Sequence, residues 1–386
     1  MDFQLTQEQI DFQMQIREFA KKEIAPGAIE RDESEDFAAL YDILINKMGP
    51  MGLLGLTFPK EYGGAGKTHV DFALAMMELC KVDVSVGASW SVSLSLGTVP
   101  IYLFGNESQK QKYLVPSAQG KCIPAFGLTE ENAGSDSAMQ ETTAVLDGDE
   151  YVLNGKKIYI TNASYAEFYI IMAMTDKSKG TKGISSFIVE KDRPGLSFDN
   201  QFVKMGIRST VQTEVIMKDC RIPKENLIGE EGKGFKIAMT ALDVGRLGVA
   251  GQGVGAAWGA MNMAARYAKE RKQFGKPIFD NQAVSFMLAD MGVKVELAKL
   301  MLLKACWLCD QGLPFSKEAA MAKMFCTDTA MQVTTDAVQI FGGKGFLREN
   351  EVERFMRDSK ILQIYEGTNQ VQRMIVANHV AKEANE

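Results

Sequence analysis

The stretch Thr142-Thr-Ala-Val-Leu-Asp-Gly-Asp-Glu-Tyr-Val-Leu-Asn-Gly-Lys-Lys-Ile-Tyr-Ile-Thr161 alternates apolar and polar residues. A period of two marks strands with one buried face. Asp147-Gly148 and Asn154-Gly155 punctuate the stretch, and such pairs supply the positive φ angles that hairpin turns need. Further short β runs follow at residues 168–175, 184–190, 196–198 and 214–222. Together they predict an antiparallel β domain over residues 121–233, of ordinary domain size at about 110 residues.

On either side the periodicity is helical. Leu5, Ile10, Phe12, Ile16, Phe19 and Ile24 recur at spacings near three and four, with Thr6 as N-cap. Helices are expected at 37–48 and 70–81, with a loop at TFPKEYGGAG (57–66). The apolar run 84–104 reads as a buried helix broken near Pro100. Residues 1–120 are thus a helical domain. Residues 234–386 carry four long tracts, 235–269, 282–311, 316–341 and 349–384, joined by short links, which predict a four-helix bundle. The first tract holds Gly245, Gly248, Gly251, Gly253, Gly255 and Gly259. Each costs about 1 kcal/mol of helix stability relative to Ala, and the compensation is close approach of a backbone or a ligand. The fold class is α+β: helices, then a β domain, then a bundle. Nothing alternates β with α, and no G-x-G-x-x-G lies between a strand and a helix, so a doubly wound dinucleotide fold is not expected.

With 386 residues, two or three packed domains are the default. The net charge of -6 and the lack of a basic run argue against nucleic acid or an anionic membrane as partner. No stretch is expected to approach a membrane span in length without charges. The six cysteines, including the Cys306-Trp-Leu-Cys309 pair, read as buried thiols of a reducing compartment. The N-terminus shows no signal core, so a cytoplasmic location, or the mature part of an organelle protein, is expected. His69 and His379 lack nucleophile partners, and no metal-ligand spacing appears.

Three stretches are too particular for scaffolding: AFGLTEENAGSD (125–136), RKQFGKPI (271–278) and IYEGTNQ (364–370). With Phe58-Pro-x-Glu-Tyr-Gly-Gly-x-Gly66, Asp243-x-x-Arg246 and Gln339-Ile-Phe-Gly-Gly343, they resemble, in order and separation, the acyl-CoA dehydrogenase family, most like its short-chain, butyryl-CoA type. The resemblance covers essentially the whole chain. It implies FAD as cofactor, an acyl-CoA substrate, electron-transferring flavoprotein as acceptor and a homotetramer. It implies that Phe126, Leu128, Thr129, Tyr159, Ile160 and Thr161 hold the flavin ring, with Tyr159 where Trp is common. Ser135 would meet both FAD and the thioester arm, although Glu131 replaces the usual Pro after Thr-Glu. Arg271, Phe274, Gln282, Gln339, Ile340, Gly342 and Gly343 would hold the pyrophosphate and adenosine end of a neighbouring subunit's FAD. Thr368, Asn369 and Gln370 would complete the cofactor site. Asp243, Arg246, Tyr365 and Gly367 would line the substrate site.

Glu366 decides the chemistry. By itself a Glu before Gly is an ordinary surface carboxylate; in this motif it resembles the family's catalytic base. The thioester acidifies the α-carbon, the carboxylate takes that proton, and the β-hydrogen leaves as hydride to flavin N5. Burial should raise its pKa towards the optimum for a base. Backbone N–H of the base loop and a flavin ribityl hydroxyl would polarise the carbonyl. Some relatives carry the base just before the position matching Arg246; here that residue is Gly245, which leaves Glu366. Trp90 and Trp258 are either walls of a short acyl pocket or core residues. A branched or cyclic acyl group, the reverse enoyl-CoA reductase direction and a non-catalytic acyl-CoA-binding role are the alternatives. No basic C-terminal extension of the kind expected in a DNA-associated relative follows Ala-Asn-Glu386. Lys344, where an aromatic residue is common, has no reading.

Overall fold

The computed structural model describes residues 4–384; the ends read above, residues 1–3 and 385–386, lie outside them. Helix α1 (Gln7–Phe19) starts at a reciprocal capping box: Thr6 Oγ1 accepts from Gln9 N, and Gln9 Oε1 accepts from Thr6 N. It runs on as a π-helical turn to Ile24. There follow α2 (Ala28–Ser34), α3 (Phe37–Asp42), α4 (His69–Cys80), α5 (Val84–Ser91), α6 (Val99–Phe104), α7 (Glu107–Gln109) and α8 (Val115–Ala118). The run Val84–Phe104 is buried as expected, with 94% of its apolar window inside the protein, but it corrects the expectation about length, being uncharged and long and apolar enough to cross a bilayer. A π-helical segment, Val92–Gly97, separates α5 from α6, and Pro100 sits in the first turn of α6.

Strands β1 (Pro124–Gly127), β2 (Thr143–Asp147), β3 (Glu150–Thr161), β4 (Phe168–Met174), β5 (Ile184–Glu190), β6 (Leu196–Asp199), β7 (Gln212–Pro223) and β8 (Leu227–Ile228) form one sheet. Their order is β6-β7-β3-β2-β4-β5-β8, with β1 beside β4. Asp147 pairs with Glu150 across the expected turn, where Gly148 has φ +64°. Two expectations change. The sheet is not wholly antiparallel, because β1 and β2 each pair with β4 in parallel. Asn154-Gly155 is no turn but a bulge within β3, where the register against β7 slips. Gly155 is required there, since a Cβ would stand 2.4 Å from Thr142 Oγ1.

Beyond the sheet come α9 (Gly234–Glu270), a small hairpin of β9 (Lys272–Gln273) and β10 (Lys276–Pro277), α10 (Gln282–Asp310) and α11 (Ser316–Phe341). The fourth tract splits into α12 (Val352–Leu362) and α13 (Asn369–Glu383). Between them Glu366 and Gly367 take φ +52° and +90°, which no continuous helix tolerates. The glycines of α9 let other helices touch its backbone: a Cβ on Gly253 would stand 2.9 Å from Cys326 O of α11, and one on Gly259 2.6 Å from Lys81 O. Trp90 is a core residue rather than a pocket wall, fully buried, edge-on to Phe72 and donating to Leu53 O at 2.8 Å. Trp258 lies under Lys81, whose Nζ is 3.2 Å from the ring centroid, and within reach of Lys299.

Candidate active site

The break between α12 and α13 is a loop held from beneath by its carbonyls. Glu366 O accepts from Gln372 Nε2 at 3.1 Å and from Arg246 Nε at 3.4 Å. Gly367 O accepts from Gln372 Nε2 at 2.9 Å and from Lys323 Nζ at 2.8 Å. Thr368 Oγ1 accepts from Val371 N and so caps α13. Tyr365 reaches the other way, its hydroxyl donating to Gln252 Oε1 of α9. The loop backbone is therefore fixed on every side while the Glu366 side chain projects over α9.

There the carboxylate has little company. Oε2 is enclosed and has no hydrogen-bond partner, although the residue as a whole is only half-buried. It lies where a Cβ of Gly245 would be, 2.2 Å away, beside Leu96. Burial pushes its pKa up to about 7, against the pull of Arg246 and Lys323. A carboxylate without hydrogen bonds, beside apolar carbon and half-ionised near neutrality, is suited to take a proton from a weak carbon acid. Arg246 is buried; its Nη1 pairs with Asp243 Oδ1 at 2.6 Å, which also accepts from Ser316. Expected among the substrate contacts, Asp243 and Arg246 are engaged with each other and with the loop.

Leu96 connects this carboxylate to the sheet, because the next residue, Gly97, packs on Pro124 at the start of β1. Where β1 ends, Ile158 N donates to Thr129 O. The register of β3 on β7 slips again between Lys157 and Ile160, and Tyr159 takes φ +59°. The bulge turns the Tyr159 ring outward against Phe202, centroids 4.9 Å apart, while Ile160 stays buried. Thr161 Oγ1 accepts from Gln212. Phe126 and Leu128 are buried, Thr129 is half-buried and Ser135 stands exposed on the following loop. The edge expected to hold a ring system is thus assembled from Thr129, Tyr159 and Thr161. It is braced by a group that the sequence reading did not assign. Buried Lys157 donates to Leu128 O, Glu130 Oε1 (2.6 Å) and Gln140 Oε1, and Glu130 accepts from the backbone N–H of Glu141 and Thr142.

Arg271, Phe274, Gln282 and Gln339–Gly343 are not brought to Glu366. Along α9, Arg271 is about 39 Å from Gly245 at 1.5 Å per residue. Phe274 is 97% exposed with φ +52°, Gln282 and Gln339 are exposed and Ile340 is buried. A Cβ on Gly343 would meet nothing within 4 Å, so its own chain gives no reason for glycine there. Asn369, expected at the cofactor, has its buried amide taken up by Lys323, Thr327 and Asp328 and so holds the loop, and Gln370 next to it is exposed. Lys323, Gln372, Gln252 and Lys157 were not singled out in the sequence. The signal for Lys323 was there: a lysine at helical spacing among Ala319, Ala320, Ala322 and Cys326.

An enclosed, unpartnered carboxylate oxygen on a broken helix, set beside a bulged sheet edge, fits the class of flavin-dependent thioester dehydrogenases. The comparisons agree. Residues 6–121, 125–220 and 232–381 match the N-terminal, middle and C-terminal domains of acyl-CoA dehydrogenase. The chain is 49% identical to the short-chain specific acyl-CoA dehydrogenase of Clostridium acetobutylicum, over 98% of this chain and all of that one. It is 44% identical to the caffeyl-CoA reductase–Etf complex subunit of Acetobacterium woodii, covering 95% and 96% of the two chains. The structure of butyryl-CoA dehydrogenase from Megasphaera elsdenii superposes with a TM-score of 0.95, at 45% identity over 99% of this chain and 100% of that one. This chain belongs to the acyl-CoA dehydrogenase family, and its activity is FAD-dependent dehydrogenation of an acyl-CoA to the enoyl-CoA.

Proposed function

We propose that this enzyme converts a short-chain acyl-CoA, butyryl-CoA or close to it, to the trans-2-enoyl-CoA, and that Glu366 is the base. The observation that carries this reading is the enclosed, unpartnered Oε2 of Glu366 above Gly245. Bound FAD, held at the edge of Thr129, Tyr159 and Thr161, would supply the two-electron acceptor for the β-hydrogen. Glu366 takes the α-proton, and the carbonyl bonds from Arg246, Gln372 and Lys323 keep its loop from yielding as it does so. Leu96 and the bare backbone at Gly245 exclude water from the carboxylate and keep it basic. Thr129, Tyr159 and Thr161 on the braced edge carry the flavin ring, with Ser135 at the thioester arm.

Arg271, Phe274, Gln282, Gln339, Gly342 and Gly343 serve the FAD of a second chain, which makes the active form an oligomer, by family resemblance a homotetramer. An exposed apolar stripe on α10 (Phe286, Val293, Leu297, Leu300) supports assembly. Arg271 supplies a planar fork for two phosphate oxygens. Electron-transferring flavoprotein is the proposed acceptor, and the Etf complex of the Acetobacterium relative supports it. That relative also favours a second reading, in which the cell runs the step backwards as an enoyl-CoA reduction. All six cysteines are free and five are buried, which supports a reducing, cytoplasmic location.

Anaerobic flavin bleaching with C4, C6, C8, branched and cyclic acyl-CoAs, beside Glu366→Gln, tests the proposal. Fastest bleaching by the C4 thioester and an inert Gln variant are expected. Full activity of that variant removes Glu366 from the mechanism, and preference for a long or branched chain removes the substrate assignment.

A further inference from the structure

Lys323 is fully buried on α11, on a face made of Ala319, Ala320, Ala322 and Cys326. Its Nζ donates to Gly367 O at 2.8 Å and to Asn369 Oδ1 at 2.9 Å, one acceptor on each side of Thr368. Both are neutral. Among the described residues no carboxylate closes an ion pair with it; Glu366 and Asp328 act on it only through space. A buried ammonium without a bonded anion is costly, and methionine would fill the same channel without that cost. Packing therefore gives no reason for a lysine.

The reason lies in what it faces. Glu366 is on the loop above it. Arg246 of α9 is the opposing cation, itself neutralised by Asp243. Asp328, further along α11, is engaged by Gln363 at the end of α12 and by Asn369 and Arg373 of α13. Arg246 and Lys323 are the two cations that act on the Glu366 carboxylate, and of the two only Lys323 has no carboxylate bonded to it.

We propose that Lys323 is a positioning residue for the dehydrogenation: it pins Gly367 O and Asn369 to hold the left-handed turn at Glu366, and its charge favours the ionised form of the Glu366 side chain. The inference rests on the reading of Glu366 as the base. Burial brings the Lys323 ammonium down to about 7, so the cation is most secure when Glu366 is charged, and the two groups stabilise each other across the loop.

The test uses FAD-loaded Lys323→Gln, which keeps a donor without charge, and Lys323→Met, which keeps neither, with Glu366→Gln beside them. Flavin content and thermal midpoint check the fold. Single-turnover flavin reduction by butyryl-CoA is followed against pH, and hydrogen exchange is followed over residues 363–372. Lys323→Gln is expected to slow reduction about 10- to 100-fold at pH 7, with little change in KM. Its acid limb should move up by about one pH unit, so that part of the rate returns at pH 9. Lys323→Met should in addition speed exchange of the loop amides by about tenfold or more. An inert Glu366→Gln beside lysine variants of unchanged rate, pH profile and exchange overturns the lysine inference alone. A fully active Glu366→Gln overturns the base reading beneath it. If the Met variant does not fold, Asn369→Ala, which removes an acceptor and keeps the cation, is expected to speed loop exchange without moving the acid limb; unchanged exchange there overturns the clamp.

Discussion

Glu366 Oε2 stands 2.2 Å from the position a Cβ on Gly245 would occupy, so the bare backbone of α9 is the surface on which the carboxylate rests. Gly245→Ala adds one methyl at that point, and Leu96 Cδ2, 3.0 Å away, blocks escape to one side. The carboxylate must shift by about an ångström, a misplacement that costs on the order of 10²-fold in rate. The loss is expected in the flavin-reduction step, with FAD retained and KM little changed. Stopped-flow reduction by butyryl-CoA measures it, and a wild-type rate in Gly245→Ala would sink the assignment of this contact.

The same enclosure sets a pH dependence. Burial raises Glu366 from its ordinary 4.5 to about 7, and as the proposed base it must be ionised to act, so flavin reduction should rise through pH 7 and level off above about pH 8. Stability runs the other way. The folded carboxyl holds its proton more tightly than the unfolded one, so its contribution is complete below pH 4.5 and lost as pH rises through 7. Glu366→Gln abolishes that loss. It should be more stable than wild type at pH 8 by about 1–3 kcal/mol, and no more stable at pH 4.5. Urea unfolding at the two pH values decides it; an equal difference at both contradicts the shift.

These features were legible to unequal degrees, and the division follows the range of the interactions. The Thr6 capping box and the Asp147-Gly148 turn are closed by residues three or fewer apart, so composition announces them. Asn154-Gly155 suits a turn and a bulge equally, and what selects the bulge is Thr142 and the register of β7. The run 84–104 reads as a buried helix and is one, yet it is also apolar enough for a bilayer, and the helices packed round it are what separate the two. Glu366 was recognisable from its motif. Lys323, Arg246 and Gln372, which hold its loop, were not assigned that work, since their bonds depend on how α9, α11 and α13 meet.

The brace under the sheet edge is a buried ion pair, Lys157 to Glu130 at 2.6 Å. Removing one partner of such a pair leaves the other charge uncompensated, at about 3–5 kcal/mol. Glu130→Ala also frees the N–H groups of Glu141 and Thr142 and loosens Leu128 and Thr129. The variant is expected to unfold at lower temperature and to be purified with less FAD, read from the ratio of flavin to protein absorbance. Full flavin content in a destabilised variant would separate the brace from the cofactor site.

His69 and Asp310 join the N-terminal helices to the bundle. Asp310 accepts from His69 N and Val70 N, capping α4, and meets His69 Nδ1 at 2.8 Å. Burial opposes the imidazolium, but Asp310 and Cys309 outweigh it and raise the ring to about 9. That stabilisation is complete below about pH 6.5 and is lost as pH rises through 9. Wild type should therefore lose stability between pH 6.5 and 9.5 relative to His69→Gln. Asp310→Ala, losing both the cap and the pair, should cost about 1–3 kcal/mol at pH 6.5 and leave substrate preference unchanged. Denaturant titrations at the two pH values check both; a pH-independent gap between wild type and His69→Gln rules out the charged ring.

The apolar stripe on α10 tests the assembly. Phe286, Val293, Leu297 and Leu300 recur at helical spacing, and all are exposed in the single chain. Water-facing apolar side chains in line on one helix mark a contact surface. A charge placed among them is costly only if the face is covered. The double variant Val293→Glu, Leu297→Glu should therefore sediment as a smaller species than wild type. If Arg271, Phe274 and Gln339 serve a second chain's FAD as proposed, flavin should be lost in step with dissociation. Sedimentation velocity at several concentrations, monitored at flavin and protein wavelengths, follows both. A variant of wild-type size and full flavin content would mean that α10 faces water in the working enzyme.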